Sequence, residues 1–110
     1  VHFPATMAEG GMTVETCYMI RLTRRPGCAI TDDLMRAHRE HLKRLADQGR
    51  LVLCGPFADR TGGMTVIRAG SLAEAEAVAA ADPLVASGME DWEVREWIIT
   101  GGEGRPLEGD

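Results

Sequence analysis

In residues 14–22, VETCYMIRL, the apolar side chains Tyr18, Ile20 and Leu22 alternate with their neighbours at the two-residue period of a strand. The Pro26-Gly27 pair after it predicts a turn. The pattern then changes to helical spacing over residues 32–48. Thr31 is placed to cap this segment, Asp32 and Asp33 suit its first turn, and Gly49 closes it. Residues 50–57, RLVLCGPF, and 64–69, MTVIRA, read as two strands joined through the polar loop ADRTGG. Ser71 with Glu74 forms a capping box for an alanine-rich helix reaching Asp82, where Pro83 prevents easy continuation. A last strand is predicted at 91–99, DWEVREWII.

The order is β-α-β-β-α-β, the split βαβ arrangement. It predicts an α+β sandwich with a four-stranded antiparallel sheet and two helices on one face. At 110 residues the chain is one domain, with residues 13–100 as its folded part. Residues 1–12 are expected to be a disordered tail, in which Met7 and Met12 could each serve as a start, and the Gly-rich residues 101–110 a flexible one. Cys17 and Met19 on the first strand, and Trp97 and Ile99 on the last, put apolar side chains on the face without helices as well. A sheet with one solvated face should alternate cleanly, so the second face is expected to pack on another copy, giving a homodimer.

The first helix carries the residue that most needs explaining. At about 100° per residue, Leu34, Leu45, His38, Leu42, Met35 and Ala46 share one arc, so His38 lies inside the apolar stripe. His41 falls on its border, and Arg36, Arg39, Glu40, Lys43, Arg44 and Asp47 form the opposite, solvated face. A buried imidazole needs hydrogen-bond partners. His38 is therefore either a core histidine satisfied by backbone or water, or a general acid/base tuned by a carboxylate. Asp82 is a candidate for that carboxylate, since an acid at a helix C-terminus opposes the dipole; an Asx-type turn around Pro83 would explain it equally. In this topology the helices run parallel, and His38 sits about 15 Å of helix before Gln48. Contact with Asp82 thus requires the chain after Asp82 to fold back, an offset of the helices, or a partner subunit.

Composition narrows the functional classes. The net charge of −5 leaves no basic footprint for nucleic acid, and no apolar run approaches a membrane span. The cysteines, Cys17, Cys28 and Cys54, are odd in number and form no C-x-x-C pair, which reads as reduced thiols in the cytoplasm. No metal cluster and no phosphate cradle is signalled, so no cofactor is expected. Cys54 reads as a packing thiol, and the loop with Asp59 and Arg60 as a solvated hairpin tip.

The stretches HREHLKRLADQGRLVLCGP and GGMTVIRAGSLAEAEAVAAADPLVASG, with the closing Trp-containing strand, resemble the YciI-related proteins that carry a YCII domain. The resemblance covers nearly the whole folded part. It implies a ferredoxin-like fold assembling as a dimeric α+β barrel, similar to muconolactone isomerase-like proteins, with an active site built on His38 and Asp82. One branch of the family resembles dehydrochlorinases of hydroxylated aromatic rings. The expected function is an acid/base enzyme of isomerase or lyase type acting on a small organic acid. In it Gly55 and Pro56 let substrate approach the backbone and His41 stands at the rim. The alternative is a non-catalytic dimer that binds a small metabolite.

Overall fold

Thr31 begins the first long helix as its sequence implies: in the computed structural model of the protein, its hydroxyl accepts the Leu34 N–H at 3.1 Å. The structure describes residues 6–7, 13–104 and 107. Its elements are β1 (Thr6–Met7), β2 (Thr13–Arg24), α1 (Asp32–Asp47), β3 (Leu51–Pro56), β4 (Gly62–Ile67), α2 (Leu72–Ala81), α3 (Pro83–Ala86) and β5 (Glu90–Ile99). The two-residue β1 pairs with the start of β2, within the segment expected to be a tail; the rest of residues 1–12 lies outside the described residues, as do 105, 106 and 108–110. No described helix is long and apolar enough to cross a membrane.

The sheet is antiparallel, in the spatial order β3-β4-β2-β5. Pairing brings Leu22 opposite Trp92 and Gly63, Ile20 opposite Val94 and Thr65, and Tyr18 opposite Glu96 and Ile67. Residues paired in this way share a face, and this inner face lies under the helices. The core is built there from Tyr18, Ile20, Leu22, Ile67, Leu45, Ala75 and Ala79. Ala75 and Ala79 are almost wholly buried, so the small side chains of α2 let its backbone lie close to the sheet. On the outer face Arg21 and Glu93 form a 2.8 Å ion pair, while Leu53 and Trp97 remain 60% and 48% exposed.

The helix ends follow local chemistry, with two departures from expectation. Ser71 accepts the Glu74 N–H at 3.1 Å, but the Glu74 carboxylate reaches Gly70 N rather than the cap residue itself, and also accepts from Arg50 at 3.0 Å. The second departure matters more. Pro83 does not simply stop the chain but occupies the first turn of α3, where its missing N–H and fixed φ suit a helix start. Asp82 is at once the C-cap of α2 and the N-cap of α3. The short helix α3, rather than the body of α2, is the main helical neighbour of α1.

The β3–β4 hairpin closes against β2 so tightly that a Cβ on Gly62 would lie 1.9 Å from the Leu22 carbonyl oxygen, whereas one on Gly55 meets nothing within 4 Å. Gly62→Ala is therefore expected to lower unfolding free energy by about 1–3 kcal/mol, the cost of forced overpacking, and Gly55→Ala to stay within about 0.5 kcal/mol of wild type. Urea unfolding of the two variants checks this; equal midpoints would contradict it.

Candidate functional site

Three features of the chain converge on one place. Helix α1 carries His38 toward the inner sheet face, the α2–α3 junction carries Asp82 toward α1, and β5 begins at Glu90, one residue earlier than predicted. His38 Nδ1 lies 2.8 Å from Asp82 Oδ2 and 3.0 Å from Oδ1, within one chain. Their side chains are 15% and 6% exposed. Asp82 Oδ1 also accepts the Leu84 N–H at 2.9 Å, which caps α3. The two readings of Asp82 are thus not alternatives: the same carboxylate makes the Asx-type turn and faces His38. The distance expected from parallel helices is overcome because the chain folds back into α3 directly after Asp82.

A carboxylate only accepts hydrogen bonds, so His38 donates Nδ1–H to it. This holds the ring in one orientation, and in the neutral imidazole Nε2, which takes no hydrogen bond from the described residues, is then the nitrogen with a free lone pair. His38 lines a cavity of about 520 Å³ between α1 and the inner sheet face. Met35, Leu42, Leu22 and Leu84 make its walls apolar, and Gly55, Pro56, Gly62 and Gly63 expose backbone along its hairpin side. A volume of this size accommodates a small organic molecule.

Several polar lining residues depart from their sequence reading. Arg39, read as part of the solvated face, and Arg60, read as a hairpin tip, both border the cavity, as does Arg24. None of the three forms an ion pair with a described carboxylate. Arg60 is the one described non-glycine residue with positive φ, 64°, in a turn that Asp59 organises by accepting the Thr61 N–H and hydroxyl at 3.0 and 2.7 Å. The Thr61 hydroxyl, followed by its backbone N–H, holds the Asp59 carboxyl below its usual range. Cys54 is exposed and lines the cavity rather than packing inside the protein.

Glu90 was missed altogether. It is 6% exposed and lines the cavity, and its side chain makes no hydrogen bond or ion pair with a described residue. Burial raises its pKa, only partly offset by the charges of His38 and Arg24. A usable signal was present: Glu90 shares the parity of Trp92 and Val94, and pairs with Arg24 in the ladder, so it points to the inner face.

His41 is not at the rim. It is one of the two buried residues of α1, with Leu45, and is not among the cavity-lining residues. The burial maximum of the helix sits toward His41 because the Met35, His38 and Leu42 edge faces the cavity, and Ala46, placed inside the stripe, is exposed. Desolvation is the largest influence on His41 and lowers its pKa from 6.5, against the attraction of Asp82 and a backbone hydrogen bond with Val78. The native state therefore holds the proton more weakly than the unfolded chain. The stability contributed by neutral His41 is present above pH 6.5 and lost as pH falls from there through the lower native value. His41→Gln is expected to flatten this acid-side decline, measured as unfolding free energy against pH; an unchanged slope would contradict it.

Among the described residues no group of three or more His, Cys, Asp or Glu side chains is arranged to hold a metal ion. Residues 16–98 match the profile of the YCII-related domain. Over 62 residues the chain is 52% identical to the uncharacterized protein YjpA of Bacillus subtilis (strain 168), covering 56% of this chain and 73% of that protein. Its fold is similar to that of a 5-chloro-2-hydroxyhydroquinone dehydrochlorinase from Burkholderia phenoliruptrix AC1100, solved in complex with 2,5-dihydroxybenzoquinone. The TM-score is 0.66 at 23% identity, over 82% of this chain and 99% of that one. With the family profile spanning all three helices and the four main strands from residue 16 to residue 98, the chain belongs to the YCII-related domain family.

Proposed function

We propose that the protein is an acid/base enzyme of isomerase or lyase type, acting on a small, cyclic or unsaturated organic acid in the cavity beneath α1. The observation that carries this reading is the His38–Asp82 contact at the wall of a cavity large enough for such a molecule. His38 Nε2 removes a proton from a carbon acidified by a neighbouring carbonyl. Asp82 holds the ring and stabilises its protonated form. Gly55 and Pro56 let the substrate approach the main chain. Three arginines around the cavity of a chain with net charge −5 suit an anionic substrate, since guanidinium groups recognise carboxylate and phenolate oxygens. The similar fold of a dehydrochlorinase supports the lyase side of the reading.

The working form is a homodimer joined through the outer sheet face, where Leu53 and Trp97 are exposed. Its three free thiols suit the reducing cytoplasm. The test is incubation with chlorinated hydroquinones, unsaturated lactones and keto acids in D₂O, following turnover and carbon-bound deuterium by NMR. Turnover or exchange supports the enzyme; saturable binding without either would make the protein a metabolite-binding dimer and overturn the reading.

A further inference from the structure

Among the described residues the cavity contains one ionisable side chain that is buried, borders the open space and has no hydrogen-bonding partner: Glu90. A carboxyl group so placed is costly to keep desolvated unless something uses it. Its position follows from the fold: as the first residue of β5 it rises from the sheet side of the cavity, whereas His38 descends from α1 on the other. We propose that Glu90 is the second proton-handling residue of the site, acting on a bound organic acid at an atom different from the one His38 reaches.

This rests on the acid/base reading of His38 and extends it to a two-site proton transfer. His38 takes a proton from carbon, and the electron pair of that C–H bond moves through the unsaturated substrate. Glu90 gives its proton to the atom where the pair ends: a second carbon in an isomerisation, the leaving group in an elimination. In the first case the product has the composition of the substrate; in the second one HX is released. In both, the proton on His38 passes to Glu90 to reset the site. The groups facing Glu90 are His38 from α1, Asp82 from the α2–α3 junction and Arg24 from β2. Arg39, Arg60 and Cys54 complete the ionisable lining. Burial, which favours the neutral acid, and a raised pKa agree with a donor role.

Two measurements on the full chain test this. In ¹³C-carboxyl NMR, the resonance lost in Glu90→Gln should titrate above those of the exposed glutamates. With a substrate from the panel above, Glu90→Gln should lower kcat by about 10²–10³-fold with little change in KM and remove the alkaline limb of the kcat–pH profile. Glu90→Asp should restore part of both. Titration of Glu90 with the exposed glutamates would overturn the proposal, as would an intact alkaline limb in Glu90→Gln. If His38→Gln abolishes turnover while Glu90→Gln does not, this proposal fails alone. If neither variant changes turnover, or none of the panel reacts, the acid/base reading fails and takes this proposal with it.

Discussion

His38→Gln is expected to lower turnover by about 10²–10⁴-fold, the usual worth of a positioned general base, while leaving the melting temperature close to that of wild type. The amide of glutamine can still donate to Asp82, so the buried carboxylate keeps a partner, but it offers no nitrogen lone pair basic enough to take a proton from carbon. A shorter replacement such as alanine would mix two effects, because it leaves Asp82 with only its bond to Leu84 N. The measurement is kcat alongside thermal unfolding. A variant that loses stability but keeps kcat would reduce His38 to a packing residue.

The second large effect belongs to Asp82, whose carboxylate serves two neighbours. Asp82→Ala removes the cap of α3 and the acceptor for His38 together. It is expected to cost about 0.5–2 kcal/mol for the lost cap, with more from the buried Nδ1–H left unsatisfied, and to lower turnover as far as His38→Gln does. Asp82→Asn separates the roles. Its side-chain oxygen can still accept from Leu84 N, but its amide offers an N–H toward His38 Nδ1, and the ring answers by carrying its proton on Nε2. Stability is then expected near wild type and turnover reduced by about 10²–10⁴-fold. Urea unfolding beside kinetics resolves the two; comparable activity in Asp82→Asn and wild type would contradict the assigned role.

The elements of the fold were legible because their signals are local. Thr31 and Ser71 cap the two long helices, and alternation from Tyr18 to Leu22 marks the inner face of β2. What could not be read from periods was how the helices meet. Asp-Pro looked like a terminus because Pro cannot continue a helix, yet Asp as N-cap and Pro in the first turn are equally a beginning, and the apolar Leu84 and Val85 that follow belong to α3. That fold-back is what brings Asp82 to His38. The helical wheel, for its part, assumes that the apolar arc is uniformly covered. In α1 one edge of it faces a cavity, so His41 and His38 exchange their expected burial. Glu90 lies one residue before the strand start expected at Asp91, so the parity that it shares with Trp92 and Val94 was not applied to it. The arginines of the cavity come from three separate elements, β2, α1 and the β3–β4 loop, and only tertiary structure collects them.

The proposed chemistry requires Asp82 to fix the tautomer of His38 so that Nε2 is the free base turned to the cavity. Long-range ¹H–¹⁵N correlation of the histidine rings, with His38 assigned by its loss in His38→Gln, reads this directly. The neutral ring should carry its proton on Nδ1 in wild type and on Nε2 in Asp82→Asn. A proton on Nε2 in wild type, or the same pattern in both proteins, would contradict it.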